Sequence, residues 1–247
     1  MIRVAAVGDI HVGPDSVGTV GPGLGELAER ADLLLLAGDL TTHGSVAQAH
    51  LAAQELAGVA VPTIAVLGNH DHHDGQPEGV RRALEAAGIV VLERAAHVVS
   101  IEDVRVGVVG AKGFGGGFVG ASLAEFGEPE MKAFARASIE SAADVERLLT
   151  RLDAEIKILL LHYSPIRDTL VGEPSEIYPF LGSYLFAEAA DRGGADLVIH
   201  GHAHRGTEVG MTPGGIPVRN ASKPVLRQAY AIYTLEPAGR FAPVDGA

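Results

Sequence analysis

The sequence predicts an α/β fold built on a parallel sheet, and three observations carry the prediction. Short apolar runs of strand length recur along the chain and stop at glycine or a polar residue, as Leu33 to Ala37 stops at Gly38-Asp39. Such runs suit strands buried on both faces of a parallel sheet; periodicity alone does not separate one from a buried helical turn, but repetition does. Stretches with helix signals alternate with several of these runs. Finally, five runs end in a metal-competent side chain: residues 4–7 in Gly8-Asp9-Ile10-His11, 33–37 in Gly38-Asp39, 63–67 in Gly68-Asn69-His70-Asp71, 156–161 in His162, and 196–199 in His200-Gly201-His202-Ala203-His204. In open α/β sheets the carboxyl edge of the strands is where ligands bind.

Taken in order, a first strand over residues 2–7 opens into a glycine- and proline-rich loop, after which 24–30 make a short helix and strand two begins at Leu33. Ser45 is the N-cap of a helix through about Ala57, with Val46, Ala49, Leu51 and Leu56 toward one side. Val61-Pro62 breaks into strand three, and a helix over 77–87 has Pro77 at its start and Gly88 just past its end. Runs at 89–92, 98–101 and 104–109 read as further strands, the last two joined by a turn at Glu102-Asp103. Residues 111–129, with Lys112, Phe114 and Phe118 among six glycines and no clean period, read as a functional or mobile loop. A long helix over 130–152 precedes the strand ending at His162; a loop over 163–179 and a helix near 182–190 precede the fifth strand. In the tail, 206–210, 216–220 and 228–235 are short strands, the first two joined by Thr212-Pro213-Gly214-Gly215, and they predict an antiparallel closing sheet. No repeat, heptad pattern or linker divides the chain, so residues 1–247 read as a single domain.

Composition narrows the chemistry. The chain has no cysteine, which excludes thiolate nucleophiles, disulfides and cysteine-ligated metals, so any metal sits on oxygen and imidazole nitrogen. A formal charge of −12 without a Lys/Arg cluster argues against nucleic acid as the habitual partner. No run reaches the roughly 18 apolar residues of a membrane span, and the N-terminus enters strand pattern without a basic flank or cleavage site, so a cytoplasmic protein is expected.

Taken singly, a histidine at a strand end is commonly a hydrogen-bonded structural residue; five motifs in this order, each directly after a strand, are not explained that way. Two divalent cations about 3.5–4 Å apart need a bridging carboxylate and neutral imidazole or oxygen ligands around each. In an extended segment Asp9 and His11 point the same way and grip one ion together, while a bend aims His202 and His204 one at each. The glycines before Asp39, Asn69 and His202 let the backbone turn and approach the ions closely.

On these motifs, over nearly its whole length, the chain resembles the calcineurin-like metallophosphoesterase family. The resemblance implies a four-layer α/β/β/α sandwich of two mixed sheets, with Asp9, His11, Asp39 and His204 holding one metal and Asp39, Asn69, His162 and His202 the other. It further implies hydrolysis of phosphate esters by attack of a hydroxide bound at the dinuclear centre, His70 acting at the leaving group as acid or electrostatic stabiliser and Asp71 orienting its ring. Mn, Fe, Zn or Co ions suit the ligand set about equally.

The acidic surface favours small phosphodiesters or nucleotides as substrates. Lys112 and Arg167, each in a loop after a strand, are candidates for gripping phosphate, and Phe114 or Phe118 for stacking on a flat group. His72, His73 and His43 fit the pocket mouth and His200 a supporting role; His50 and His97 read as surface or structural, and Asn220 and Lys223 follow a strand that ends near the site. A metal-binding interaction scaffold without turnover, and a nuclease, are the alternative functions. Oligomeric state has no signature in the sequence.

Overall fold

The structure is a computed structural model and describes residues 1–237 and the backbone of 240–243. In chain order its elements are β1 (Ile2–Val7), α1 (Leu27–Arg30), β2 (Leu33–Ala37), α2 (Val46–Leu56), β3 (Thr63–Val66), α3 (Pro77–Ala86), β4 (Val90–Val91), β5 (Ala95–Ile101) and β6 (Val104–Ala111). They continue with β7 (Gly117–Phe118), β8 (Ala121–Ser122), α4 (Pro129–Arg151), β9 (Ile156–Leu161), α5 (Tyr178–Leu181), α6 (Leu185–Gly193), β10 (Leu197–His200), β11 (Val209–Met211), β12 (Pro217–Asn220), α7 (Lys223–Leu226), β13 (Ala231–Glu236) and β14 (Arg240–Pro243).

Two six-stranded sheets, ordered β14-β13-β1-β2-β3-β4 and β11-β12-β10-β9-β6-β5, share one plan: a parallel centre with antiparallel strands at an edge. β2 shows why they stack. All five of its residues are fully buried, and alternation sends Leu33 and Leu35 toward the second sheet, where Val106, Val108, Ile158 and Leu160 meet them. Leu34 and Leu36 point the other way, against Ala49 and Leu56 of α2 and Val80 and Leu84 of α3. The second sheet repeats this outward with Leu159 and Leu161 against Val145, Leu149 and Phe186 of α4 and α6. The result is the four-layer α/β/β/α sandwich. Its centre is dense enough that truncating Leu35 to alanine would cost about 2–5 kcal/mol.

Local signals act as expected at several ends. The Ser45 hydroxyl accepts from the Gln48 amide at 3.3 Å to start α2, Pro77 and Pro129 open α3 and α4, and Glu102 turns the β5–β6 hairpin at φ 51°. The tail differs from the antiparallel closing sheet that its turn residues suggest. β12 runs parallel to β10, β11 lies antiparallel outside it, and β13 crosses to the first sheet to pair antiparallel with β1. Each sheet has an open edge, and the tail closes both. Within 111–129 a two-strand turn, β7–β8, interrupts the loop, and Phe118 is buried there against Leu170, Leu181 and Ala203. No helix among the described residues is long and apolar enough to cross a membrane.

Candidate metal centre

Because β1, β2 and β3 are parallel to one another, as are β6, β9 and β10, the carboxyl ends of both sheets open onto one edge. Asp9, His11, Asp39 and Asn69 arrive there from the first sheet, His162, His202 and His204 from the second. The loops after β1 and β2 continue side by side: the Asp9 amide donates to Gly38 at 2.9 Å and the His11 amide to Asp39 at 3.0 Å. Asp9 and His11 are not extended as their spacing suggests. Their φ values are 57° and 43°, and Asp39 and His202 are also left-handed, at 50° and 69°. Four of the seven non-glycine residues with positive φ among those described are thus ligand candidates, a local cost that tertiary contacts hold in place. Two glycines make the seam between the sheets. A Cβ on Gly38, itself at φ 83°, would lie 2.6 Å from His162 Nδ1, and one on Gly201 would lie 2.4 Å from Asp9 Oδ2.

Three sets of side chains bring their ligand atoms within 4.8 Å of one another: Asp9, His11 and His204; His11, Asp39 and His70; Asp39, His162 and His202. Asp39 divides between the two ends of the site. Its Oδ2 lies 3.8 Å from His11 Nε2, and its Oδ1 lies 3.3 Å from His162 Nε2, which is also 2.9 Å from Asn69 Oδ1. A cation fits this arrangement on the structure's own terms: His11 Nε2 is buried with no hydrogen-bond partner, a situation that costs free energy unless a ligand meets it. Burial holds the His11 imidazole below its ordinary pKa and pulls His202 down to about 3, so both favour the neutral form that binds metal. Burial pushes the Asp9 carboxyl up, but His204, 2.8 Å away, and His162 carry it below the usual range.

His70 stands beside both groups. Its amide donates to Asp39 Oδ1 at 2.8 Å, its Nε2 is 4.0 Å from Asp39 Oδ2, and its side chain is 42% exposed. Asp71 does not orient this ring. The Thr42 carbonyl does, 2.7 Å from Nδ1, while Asp71 is fully buried beneath the loops and accepts from the amides of Leu40, Thr41 and Gly68 and the Thr41 hydroxyl. A carboxylate with four donors already in place has no geometry left for the imidazole.

Of the phosphate-gripping candidates, Lys112 lies beside the site, its Nζ 5.1 Å from the Tyr163 ring, which packs 4.4 Å from His202. Arg167 does not join it: the guanidinium lies over Tyr178 and lines a separate cavity of about 360 Å³ with Phe118, Ile166 and Met211. His200 is fully buried, with Nε2 2.9 Å from the Thr169 hydroxyl and burial pulling its pKa to about 4. Asn220 donates to the Ala203 carbonyl at 2.8 Å, propping the turn between His202 and His204. His43 and His73 face each other on the rim, ring centroids 5.6 Å apart. Sequence reasoning missed Thr42 and Tyr163; a backbone carbonyl leaves no signal, but Tyr163 adjoins His162 in the same motif.

The family model described as calcineurin-like phosphoesterase matches residues 2–206. The chain belongs to that family. No curated protein matches it. Among solved structures, the calcineurin-like fold recurs in phosphopantetheinyl hydrolase from Mycobacterium tuberculosis, with a TM-score of 0.67, 16% identity and 98% of each chain covered. A putative 5'-nucleotidase from Staphylococcus aureus gives 0.60 at 18% identity, covering 98% of this chain and 52% of that one. A Plasmodium protein described as the anchor in the inner membrane complex gives 0.55 at 12% identity, covering 90% and 72%. At these identities the likeness is one of fold. The calcineurin-like phosphoesterase family is one of metal-dependent hydrolases of phosphate esters, and the aspartate and histidine groups described above could hold metal.

Proposed function

We propose that the protein is a metal-dependent hydrolase of small phosphate esters, with two divalent cations sharing Asp39. The observation that carries this reading is the division of Asp39, one oxygen toward His11 and the other toward His162. Asp9, His11 and His204 would hold one ion; Asn69, His162 and His202 would hold the other. When bound, such a pair polarises the phosphoryl group and lowers the pKa of a water molecule. The chain's own part is to hold the donors fixed, with the His11 and His202 imidazoles neutral and the Asp9 carboxyl ionised, and to present His70. With Nδ1–H donating to the Thr42 carbonyl, the imidazole turns Nε2 toward the open side of the site, where in its imidazolium form it gives the Nε2 proton to a departing oxygen and is left as the neutral Nδ1–H ring.

The fold alone does not imply turnover, since a structural neighbour is described as an anchor. What supports an enzyme is completeness: a scaffold has no use for His70 beside seven metal-competent groups. The charge of −12 supports small esters over DNA or RNA.

The test is hydrolysis of bis(p-nitrophenyl) phosphate and p-nitrophenyl phosphate by metal-stripped protein refilled with Mn²⁺. Turnover that follows the metal is expected, and the preferred ester identifies diesterase or monoesterase. Equal inertness of the refilled wild type and His70→Ala toward every ester tried would sink the enzyme reading.

A further inference from the structure

Among the described residues Lys112 is the lysine drawn inward beside the candidate centre, and its surroundings are unusual for an ammonium. It follows β6, which lies beside β9 in the second sheet, and its carbonyl accepts the amides of both His162 and Tyr163 at 3.1 Å. Its Nζ sits 4.7 Å from the Phe114 centroid and 5.1 Å from that of Tyr163, and donates to the neighbouring Gly113 carbonyl at 3.2 Å. No carboxylate among the described residues comes within 4 Å of it: Glu93, the nearest in influence, accepts the Lys112 backbone amide instead. Lysine is seldom buried without a partner charge, because desolvating an ammonium is costly. Two aromatic faces offset part of that cost and leave two of the three N–H donors free.

The position of this ammonium defines what it can reach. Tyr163 neighbours both, its ring centroid 5.1 Å from Nζ and 4.4 Å from that of His202, so Nζ lies beside the His162/His202 end of the site with this ring in common. His72, from the turn that carries Asn69, feels the Lys112 charge, and the Asp39 carboxylate acts on both Lys112 and Tyr163. A phosphoryl group held at Asp39 therefore lies on the same side of the molecule as the ammonium, which is left to meet a different group of the same ligand.

We infer that Lys112, set on Phe114 and Tyr163, is a specificity-determining residue that binds a second, non-reacting anionic group of the substrate, a phosphate or carboxylate apart from the reacting phosphorus. This rests on the phosphate-ester reading of the site and narrows it. Substrates are esters carrying two separated anionic groups.

The inference is tested by binding, without turnover. Calorimetry on Mn²⁺-refilled protein compares phenylphosphonate with 4-carboxyphenylphosphonate and 1,4-phenylenediphosphonate, which differ only in a second anion across the ring. The wild type should prefer at least one of the doubly anionic probes, and which one tells carboxylate from phosphate. Lys112→Met, which keeps the unbranched stem among the rings, should cut that preference about tenfold, the worth of a charge-assisted hydrogen bond. Lys112→Gln should do the same if the methionine variant fails to fold, and Lys112→Arg should restore most of the preference. A preference that survives loss of the charge, or equal weakening of all three probes, overturns the proposal. Lys112-dependent preference in a protein that hydrolyses no ester would sink the enzyme reading and leave the subsite; hydrolysis with no such preference would do the reverse.

Discussion

The two sheets contribute unlike halves to the candidate centre. The first supplies every oxygen donor, Asp9, Asp39 and Asn69, together with His11, while the second supplies only the imidazoles of His162, His202 and His204. Their support differs as well. The first half is stitched to itself: Asp71 ties the loops after β2 and β3 with four hydrogen bonds, and the amides of Asp9 and His11 tie the loop after β1 to the one after β2. The second half leans on the first. His162 Nδ1 meets the Ala37 carbonyl at 2.9 Å, the His202 amide donates to Asp9, and His204 Nε2 faces the same carboxylate. A rigid oxygen platform carries a docked set of imidazoles, so damage to the platform should reach both fold and metal, and damage to the imidazole side metal alone.

Asp39→Asn should have the largest effect, because the shared carboxylate serves both ends: a fall in turnover of at least about 10²-fold, read in steady-state hydrolysis with saturating Mn²⁺. His70→Ala separates chemistry from ligation. A loss of about 10²-fold in turnover is expected while the metal content of the purified protein stays at the wild-type value. Asp71→Ala tests the platform: three buried amides and a hydroxyl lose their acceptor, and denaturant unfolding should show a loss of about 3 kcal/mol or more. Asn220→Ala is the counterpart on the imidazole side and the mildest. Without the prop on Ala203, metal affinity should fall about tenfold, measured by chelator competition, with unfolding changed much less than in Asp71→Ala. If Asn220→Ala destabilised the fold as strongly as Asp71→Ala, the division into platform and docked half would be lost.

The strand ends were legible because burial on both faces forces a strand such as Leu33–Ala37 to be wholly apolar, so the first polar residue after it marks the edge of the sheet. The helix starts at Ser45, Pro77 and Pro129 were legible for similarly local reasons. What was hidden depends on contacts between distant segments. The left-handed backbone at Asp9, His11 and Asp39 has no glycine to announce it and is imposed by the pairing of adjacent loops. Asp71 follows His70 in sequence, yet the turn it sits in points it down into the platform, and a carbonyl 28 residues away takes the role its position suggests. The tail's strands were visible individually, but nothing in a short strand says which sheet has an edge to receive it. Arg167 and Lys112 look alike in sequence, each in a loop after a strand, and only the packing of Tyr178 and Tyr163 separates them.

Metal stoichiometry reads the sharing of Asp39 most directly, without reference to any substrate. Wild-type and Asp39→Asn proteins, stripped and titrated with Mn²⁺, would be compared by calorimetry and elemental analysis. Two ions per chain in the wild type and at most one, weakly held, in Asp39→Asn is the predicted result. A single ion in the wild type, or two ions retained with unchanged affinity in the variant, would contradict a carboxylate that joins the two halves.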